Sequence, residues 1–543
     1  MKRKHTSCRR IVPAALLAFC PLLVTATSCP VRPPDGKVGA RVAAQPLVGD
    51  GRLCAPVEVP GHTLHYGFGL SVGRIRPSLA SNANGADVVL SDSRPPRLTY
   101  TWYDKQKQTF RRETIFAGPT LAECSQRHSV PGSADCLVFE SNFIADIDCD
   151  GYNDVVVVSY RHPVSVFWFK NPGNQGGGWR RFPISNGAFD ETAIVDLNSQ
   201  PSQHSLPETA LYRAAAVRSR RLGACEVVDV VTSAHSARTD TGITLYRNPI
   251  SQPGVMNPDQ VWQSRPVNTP SGRVPHARTL LQLPGPTTMK FDAGAAAASL
   301  LVAPHNAEQP QNPFVVQLSL ASNNFDREVT TVHKVTGYAF TTGALAALLP
   351  ARQFVVLPRG YFGTYQPERL DKEATGICQR YLKHQGVSMH EWDPKQQMLT
   401  ASGDVFAGQY PWPHAVAAGR VSRSDVDDLI IGTMCSYSAS PPPPGQPTPP
   451  EVPASTVVYC ENTGLKGNAG PAFKCASLAD NLPGVPFVAI ADLDGDGVND
   501  VVAQTNGLGG TPGKLLWFKG VKPPLPSATS TSSADTRPKR MPN

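Results

Sequence analysis

Runs of β-branched and apolar residues punctuate the chain at 86–90, 153–157, 228–231, 298–302, 353–357, 427–431 and 499–502, often with an Asp near the start. They lie roughly 55–75 residues apart, a spacing that marks one repeated supersecondary unit rather than unrelated domains. After each run comes a second segment of strand character, at 98–103, 164–169, 242–246, 314–318, 386–392, 456–459 and 514–518. A third follows in six of the seven units, at 110–116, 179–184, 261–267, 325–332, 396–401 and 473–478. Period-two alternation bounded by Gly, Pro and Asn is the signature of strands. Turn sequences such as Lys170-Asn-Pro-Gly173, Arg247-Asn-Pro249 and Glu461-Asn-Thr-Gly464 close several of the second segments. The seventh unit breaks off at Gly520 without its last segment, and a matching one, Cys54-Ala-Pro-Val-Glu-Val59, stands before the first unit. A ring of radial sheets removes two raw edges by such a loan. The pattern predicts an all-β chain, a seven-bladed β-propeller over 51–520 with an N-terminal strand closing the last blade.

Composition narrows this further. With 17% charged residues, 52 Pro and 45 Gly, the chain has many turns and no room for long helices. The formal net charge of +8 sits at the ends. Lys2, Arg3, Lys4, Arg9 and Arg10 have no acid near them, and the tail carries Lys522, Arg537, Lys539 and Arg540 against Asp535. The body between is near neutral, so nucleic acid is not an expected partner. The basic start, the apolar stretch 11–24 and the small residues Thr25-Ala26-Thr27-Ser28 read as an export signal over 1–28. The apolar stretch is too short and too Pro-interrupted for a spanning helix. Ala26-Thr27-Ser28-Cys29 resembles a bacterial lipobox, which leaves two outcomes: a lipidated Cys29 or a plain signal-peptidase cut. Residues 29–50 are then a flexible tether and 521–543 a disordered tail, and the chain is expected to be a monomer, secreted or lipid-anchored to the cell envelope.

Export permits disulfides. Nine cysteines follow Cys29, and closeness in sequence points to Cys124 with Cys136 and Cys460 with Cys475. The odd count leaves a thiol over, for which Cys149 is the candidate. No Cys-x-x-Cys pair is present, which argues against zinc.

The most distinctive chemistry lies in two acidic stretches. Asp146-Ile-Asp148-Cys-Asp150-Gly151-Tyr-Asn-Asp154 and Asp492-Leu-Asp494-Gly-Asp496-Gly497-Val-Asn-Asp500 each run straight into a valine run. Alternating carboxylates with a glycine at the sharp turn suit Ca²⁺, which takes six to eight hard oxygens. Four like charges within nine residues also repel unless a cation neutralises them. An EF-hand is excluded, because its twelfth loop position would be Val157 or Ala503. The Asp-x-Asp-x-Asp-Gly-x-x-Asp-Val-Val pattern, followed by Val-Phe-Trp-Phe-Lys-Asn-Pro-Gly, resembles the FG-GAP/VCBS repeat of integrin α-subunits and many exported bacterial proteins. At blade level the resemblance covers about 51–520, while the Asp loop itself is convincing only in blades two and seven. The resemblance implies two structural Ca²⁺ sites. Their ligands would be Asp146, Asp148, Asp150, the Tyr152 carbonyl and Asp154, and Asp492, Asp494, Asp496, the Val498 carbonyl and Asp500. Gly151 and Gly497 would supply the positive φ of the turn. Blades one, three and six have few carboxylates in phase and are expected to hold no tight calcium, with Asp196-x-Asn198 a candidate relic loop.

No zinc-protease helix or P-loop occurs. His235, His305 and His414 fall near strand ends, and Tyr361, Tyr365, Tyr410 and Trp412 near the rims, where they are candidates for a metal, sugar or carbohydrate-stacking surface. His390-Glu391 reads as ordinary strand alternation. The expected function is a non-enzymatic binding or adhesion module for an extracellular protein or glycan. The alternative is a polysaccharide lyase or hydrolase working in the propeller mouth.

Overall fold

The computed structural model describes the chain from 47 to 522, apart from 49–51, 77–84, 120–136 (residue 123 excepted), 160–164, 186–210, 235–242, 268–276, 285–296, 305–312, 320–326, 332–341, 360–385, 406–411, 435–454, 507–511 and a few single or paired positions. The export signal, most of the tether and tail, Cys124, Cys136, Asp196, His235, His305, Tyr361, Tyr365 and Tyr410 lie outside the described residues.

Seven four-stranded antiparallel sheets form the blades. Six of them meander outward in chain order, as in blade two: Phe139–Ala145, Asp154–Ser159, Ser165–Lys170 and Arg180–Pro183. The innermost strands of successive blades touch all the way round, and that of blade seven, Phe487–Ala491, meets that of blade one, Leu70–Gly73. The ring is therefore closed. Among the described residues no helix is long and apolar enough to cross a membrane.

The valine runs are the second strand of each blade, and their lack of alternation has a physical cause. In blade two, Val155 and Val157 pack into the cluster shared with blade one, while Val156 and Val158 pack into the cluster shared with blade three. Both faces are buried, so every position is apolar. Each fully buried valine stabilises by roughly 1.5–3 kcal/mol relative to exposure.

Closure follows the sequence expectation. Val57–Glu58 is the outermost strand of blade seven, with Val57 opposite Trp517 and Glu58 opposite Leu516. Cys54 N–H donates to Lys519 O (2.8 Å) and Val59 N–H to Leu515 O (2.9 Å). Trp517 then packs between Tyr103 and Phe110 of blade one, with ring centroids 5.2 and 5.0 Å away.

The disulfide expectations need correction. Cys149 is not the spare thiol: it is bonded to Cys225, 76 residues on, at the start of the second strand of blade three. Cys460 and Cys475 face each other in register on adjacent strands but are thiols. Burial, and then the neighbouring Cys475, push the Cys460 thiol well above its usual range. Proximity in sequence pointed the wrong way because Cys149 sits in a hairpin tip that reaches the next blade.

Candidate metal centre

Both acidic stretches are the hairpins between the first and second strands of their blades, so they lie on the same face of the ring. Their hydrogen-bond patterns match. In blade two, Asp146 accepts from the N–H groups of Asp150 (3.1 Å) and Gly151 (3.0 Å), and Asp150 from Tyr152 N–H (2.9 Å). In blade seven, Asp492 accepts from Asp496 (3.1 Å) and Gly497 (2.9 Å), and Asp496 from Val498 N–H (2.9 Å). Gly151 and Gly497 take φ of 89° and 84°, the left-handed turn expected of them. The position two residues earlier also turns left-handed. Blade seven uses Gly495 there (φ 67°) and blade two uses Cys149 (φ 57°), whose strain the bond to blade three holds in place.

The last Asp of each loop is a structural clamp. Asp154 accepts from Ile147 N–H (3.0 Å) and Asn171 N–H (2.8 Å), and Asp500 from Leu493 N–H (2.9 Å) and Gly520 N–H (2.7 Å). The same device recurs where the loop is degenerate. Asp229 accepts from Asn248 N–H (2.9 Å), and Asp428 from Asn462 N–H (2.8 Å) and Val421 N–H (3.1 Å).

The asparagines of the turn sequences carry a further role that the sequence did not reveal. Their side-chain amides cross to the preceding blade: Asn171 to Ile75 O (2.7 Å), Asn248 to Ile147 O (2.8 Å) and Asn462 to Leu348 O (2.7 Å). Blade seven has Gly520 at this place, because a Cβ there would come within 2.3 Å of Asn499 O.

Of the expected ligands, the structure brings together Asp146, Asp148 and Asp154, and likewise Asp492, Asp494 and Asp500, with carboxylate oxygens within 4.8 Å of one another. That is the span across a single ion bound at about 2.3–2.6 Å. Asp150 and Asp496 lie beside these clusters rather than in them. For Tyr152 and Val498 the structure shows the backbone N–H engaged with those two carboxylates. Asp148 is 3% exposed, and its Oδ1 has no hydrogen-bond partner. A buried carboxylate oxygen left bare costs free energy, so the donor set fits a hard cation.

Two lysines were missed. Lys170 Nζ bonds both Asp148 and Asp150 (2.9 Å to the latter), and Lys519 Nζ bonds both Asp494 and Asp496 (2.8 Å to the latter). The signal was in the sequence: Trp-Phe-Lys stands at the end of the third strand in both blades two and seven, with Lys519 one residue past Leu515–Phe518. Charge and burial show in the titration of the acids. Burial pushes the Asp500 carboxyl up to about 7, against the Gly520 N–H and with help from Asp494. Burial likewise raises Asp146, Asp148 and, most strongly, Asp154.

In other blades a guanidinium stands at the clamp. Arg76 Nε lies 2.7 Å from Asp87, and Arg247 lies 3.2 Å from Asp229. In blade six Ser422 supplies both its N–H (2.6 Å) and its hydroxyl (2.9 Å) to Asp428.

The remaining candidates do not converge among the described residues. His414 is buried and bonds Pro486 O (3.1 Å), and Trp412 is buried rather than displayed on a rim. His390 is buried against Ser388, and Glu391 is paired with Arg352.

No family model matches the chain, and no curated protein matches it in sequence. Solved structures do resemble it. The Dos1 propeller is 7% identical with a TM-score of 0.41, covering 86% of this chain and 94% of that one. A structure of BBS1N in complex with ARL6DN is 10% identical with a TM-score of 0.42, covering 86% and 96%. A lactonase-like propeller from Bacteroides fragilis is 11% identical with a TM-score of 0.39, covering 76% and 84%. At these identities and scores they carry no information on activity or ligand. The chain is a seven-bladed β-propeller of a kind compatible with a binding module.

Proposed function

We propose that the chain is an exported FG-GAP/VCBS-type propeller, secreted or lipid-anchored, that binds a protein or glycan outside the cytoplasm without chemically altering it. In this reading blades two and seven each hold a Ca²⁺, with Asp146, Asp148 and Asp154, and Asp492, Asp494 and Asp500, as the acids that meet it. The single observation that carries the reading is the pair of matching acidic hairpins on one face, one of them with a buried, unpartnered Asp148 oxygen. A bound divalent cation would supply electrostatic cross-linking of the hairpin and no bond-breaking chemistry. The chain's own residues do the positioning: backbone N–H groups orient Asp146 and Asp154, and the Asn171 and Asn248 amides tie the blade-two hairpin to blades one and three. The loop of blade seven sits where the chain's two ends are stitched together, so holding it stabilises the closure.

The test is an array of extracellular glycans and matrix proteins probed with the full chain, with calcium and with EDTA. The proposal expects retained, uncleaved ligand and a signal that falls in EDTA. Release of shortened oligosaccharides would replace it with the lyase or hydrolase alternative.

A further inference from the structure

The residue at the end of the third strand of a blade or just past it, immediately before the clamp-bonded backbone N–H, is a cation in three blades. It is Lys170 before Asn171, Arg247 before Asn248 and Lys519 before Gly520. In each case it turns back onto the carboxylates of its own blade. Arg247 lies 3.2 Å from Asp229, which stands alone in a blade lacking the acidic loop. Lys170 and Lys519 each bridge two carboxylates of a full loop. Lys519 is the better sequestered, its side chain 16% exposed against 33% for Lys170. Where this position is Glu461, in blade six, the clamp Asp428 is served by Ser422 instead.

We propose that Lys170 and Lys519 are tethered counter-ions of the acidic loops, which hold the hairpins in shape without metal and set how tightly a divalent cation can bind there. The proposal rests on the calcium reading above. An ammonium held within reach of two carboxylates by its own strand offsets part of their repulsion. It also holds one oxygen of Asp148, and in blade seven of Asp494, carboxylates that belong to the clusters a calcium ion would use, and it repels the incoming charge. Each loop still carries more acids than its one lysine neutralises, so a divalent cation retains a favourable field. The arrangement makes occupancy depend on the free calcium concentration rather than being permanent.

The test is calcium titration by calorimetry, with thermal melts in EDTA, on the full chain and on Lys170→Gln, Lys519→Gln and the double variant. Lys170→Met, which keeps the apolar stem, serves if a glutamine variant folds poorly. The expected result is calcium binding tightened on the order of tenfold at the altered loop only, with a lower melting temperature in EDTA. If wild type binds calcium and the variants bind it no more tightly, the lysines are bystanders and the proposal falls while the calcium reading stands. If neither wild type nor any variant binds calcium, the calcium reading itself falls and takes the competition with it.

Discussion

The asparagine that crosses from one blade to the next offers a sharp test of how the ring holds together. Asn462 is fully buried. Its amide donates to Leu348 O (2.7 Å) in blade five and Asp427 O (3.1 Å), and its carbonyl accepts from Gly464 N–H (3.0 Å). In Asn462→Ala the three partners fare differently. Asp427 and Gly464 are half-buried, and water can replace the lost bond. Leu348 lies in the core, so its carbonyl is left bare, at about 1–3 kcal/mol. Adding the small void and two bonds exchanged for water brings the expected loss to roughly 2–4 kcal/mol. Asn499 is the internal control. Its amide reaches the preceding blade too, to Arg420 O (2.8 Å), but at an exposed site, so Asn499→Ala should cost about 0.5–1 kcal/mol. Asn462→Asp keeps the shape and removes the donor, and should lose at least as much as the alanine variant. The assay is equilibrium unfolding in urea, comparing midpoints at constant slope. If Asn462→Ala shifts the midpoint no further than Asn499→Ala, buried inter-blade bonds do not carry the stability assigned to them.

Two further outcomes follow from the same structure. The Cys149–Cys225 bond spans 76 residues, and the loop-entropy relation gives about 4.5 kcal/mol for a loop of that size, so the double Cys149→Ser/Cys225→Ser variant should unfold at a clearly lower urea concentration; an unchanged midpoint would contradict this. Burial, and then Arg359, lower His390 from the ordinary 6.5 to about 4. The unfolded chain therefore takes up a proton that the folded chain refuses. The contribution is fully present above pH 6.5, is lost as the pH falls toward 4 and flattens below it, at most about 3 kcal/mol in all. His390→Gln should flatten that part of the stability profile, and an identical acid limb in wild type and variant would refute the assignment.

Most of the architecture was legible because each cause is local. The valine runs mark strands buried on both faces, and the missing last strand of unit seven had a counterpart at 54–59. The acidic hairpins were legible for the same reason, since Asp spacing and Gly497 dictate the turn directly. What the sequence hid are contacts between blades. Nothing near Cys149 announces Cys225, and Asn171-Pro172 looks like an ordinary turn until Ile75 of the preceding blade comes into view. Lys170 and Lys519 act within their own blades, and the shared Trp-Phe-Lys marked them as equivalent, but they lie 20 and 23 residues from Asp150 and Asp496, so only the fold shows what they touch. The buried state of Trp412 likewise depends on packing that rim position alone does not reveal.

The account depends most on the two acidic hairpins being cation sites. Calorimetric titration of metal-free full-length protein with calcium, followed by melting with and without EDTA, tests this directly. Calcium at a hundred times its Kd stabilises a folded protein by about 3 kcal/mol per site. The account predicts two binding events, one abolished by Asp148→Asn and the other by Asp494→Asn, and a melting temperature that falls in EDTA. A flat titration with a melting temperature indifferent to EDTA would contradict it.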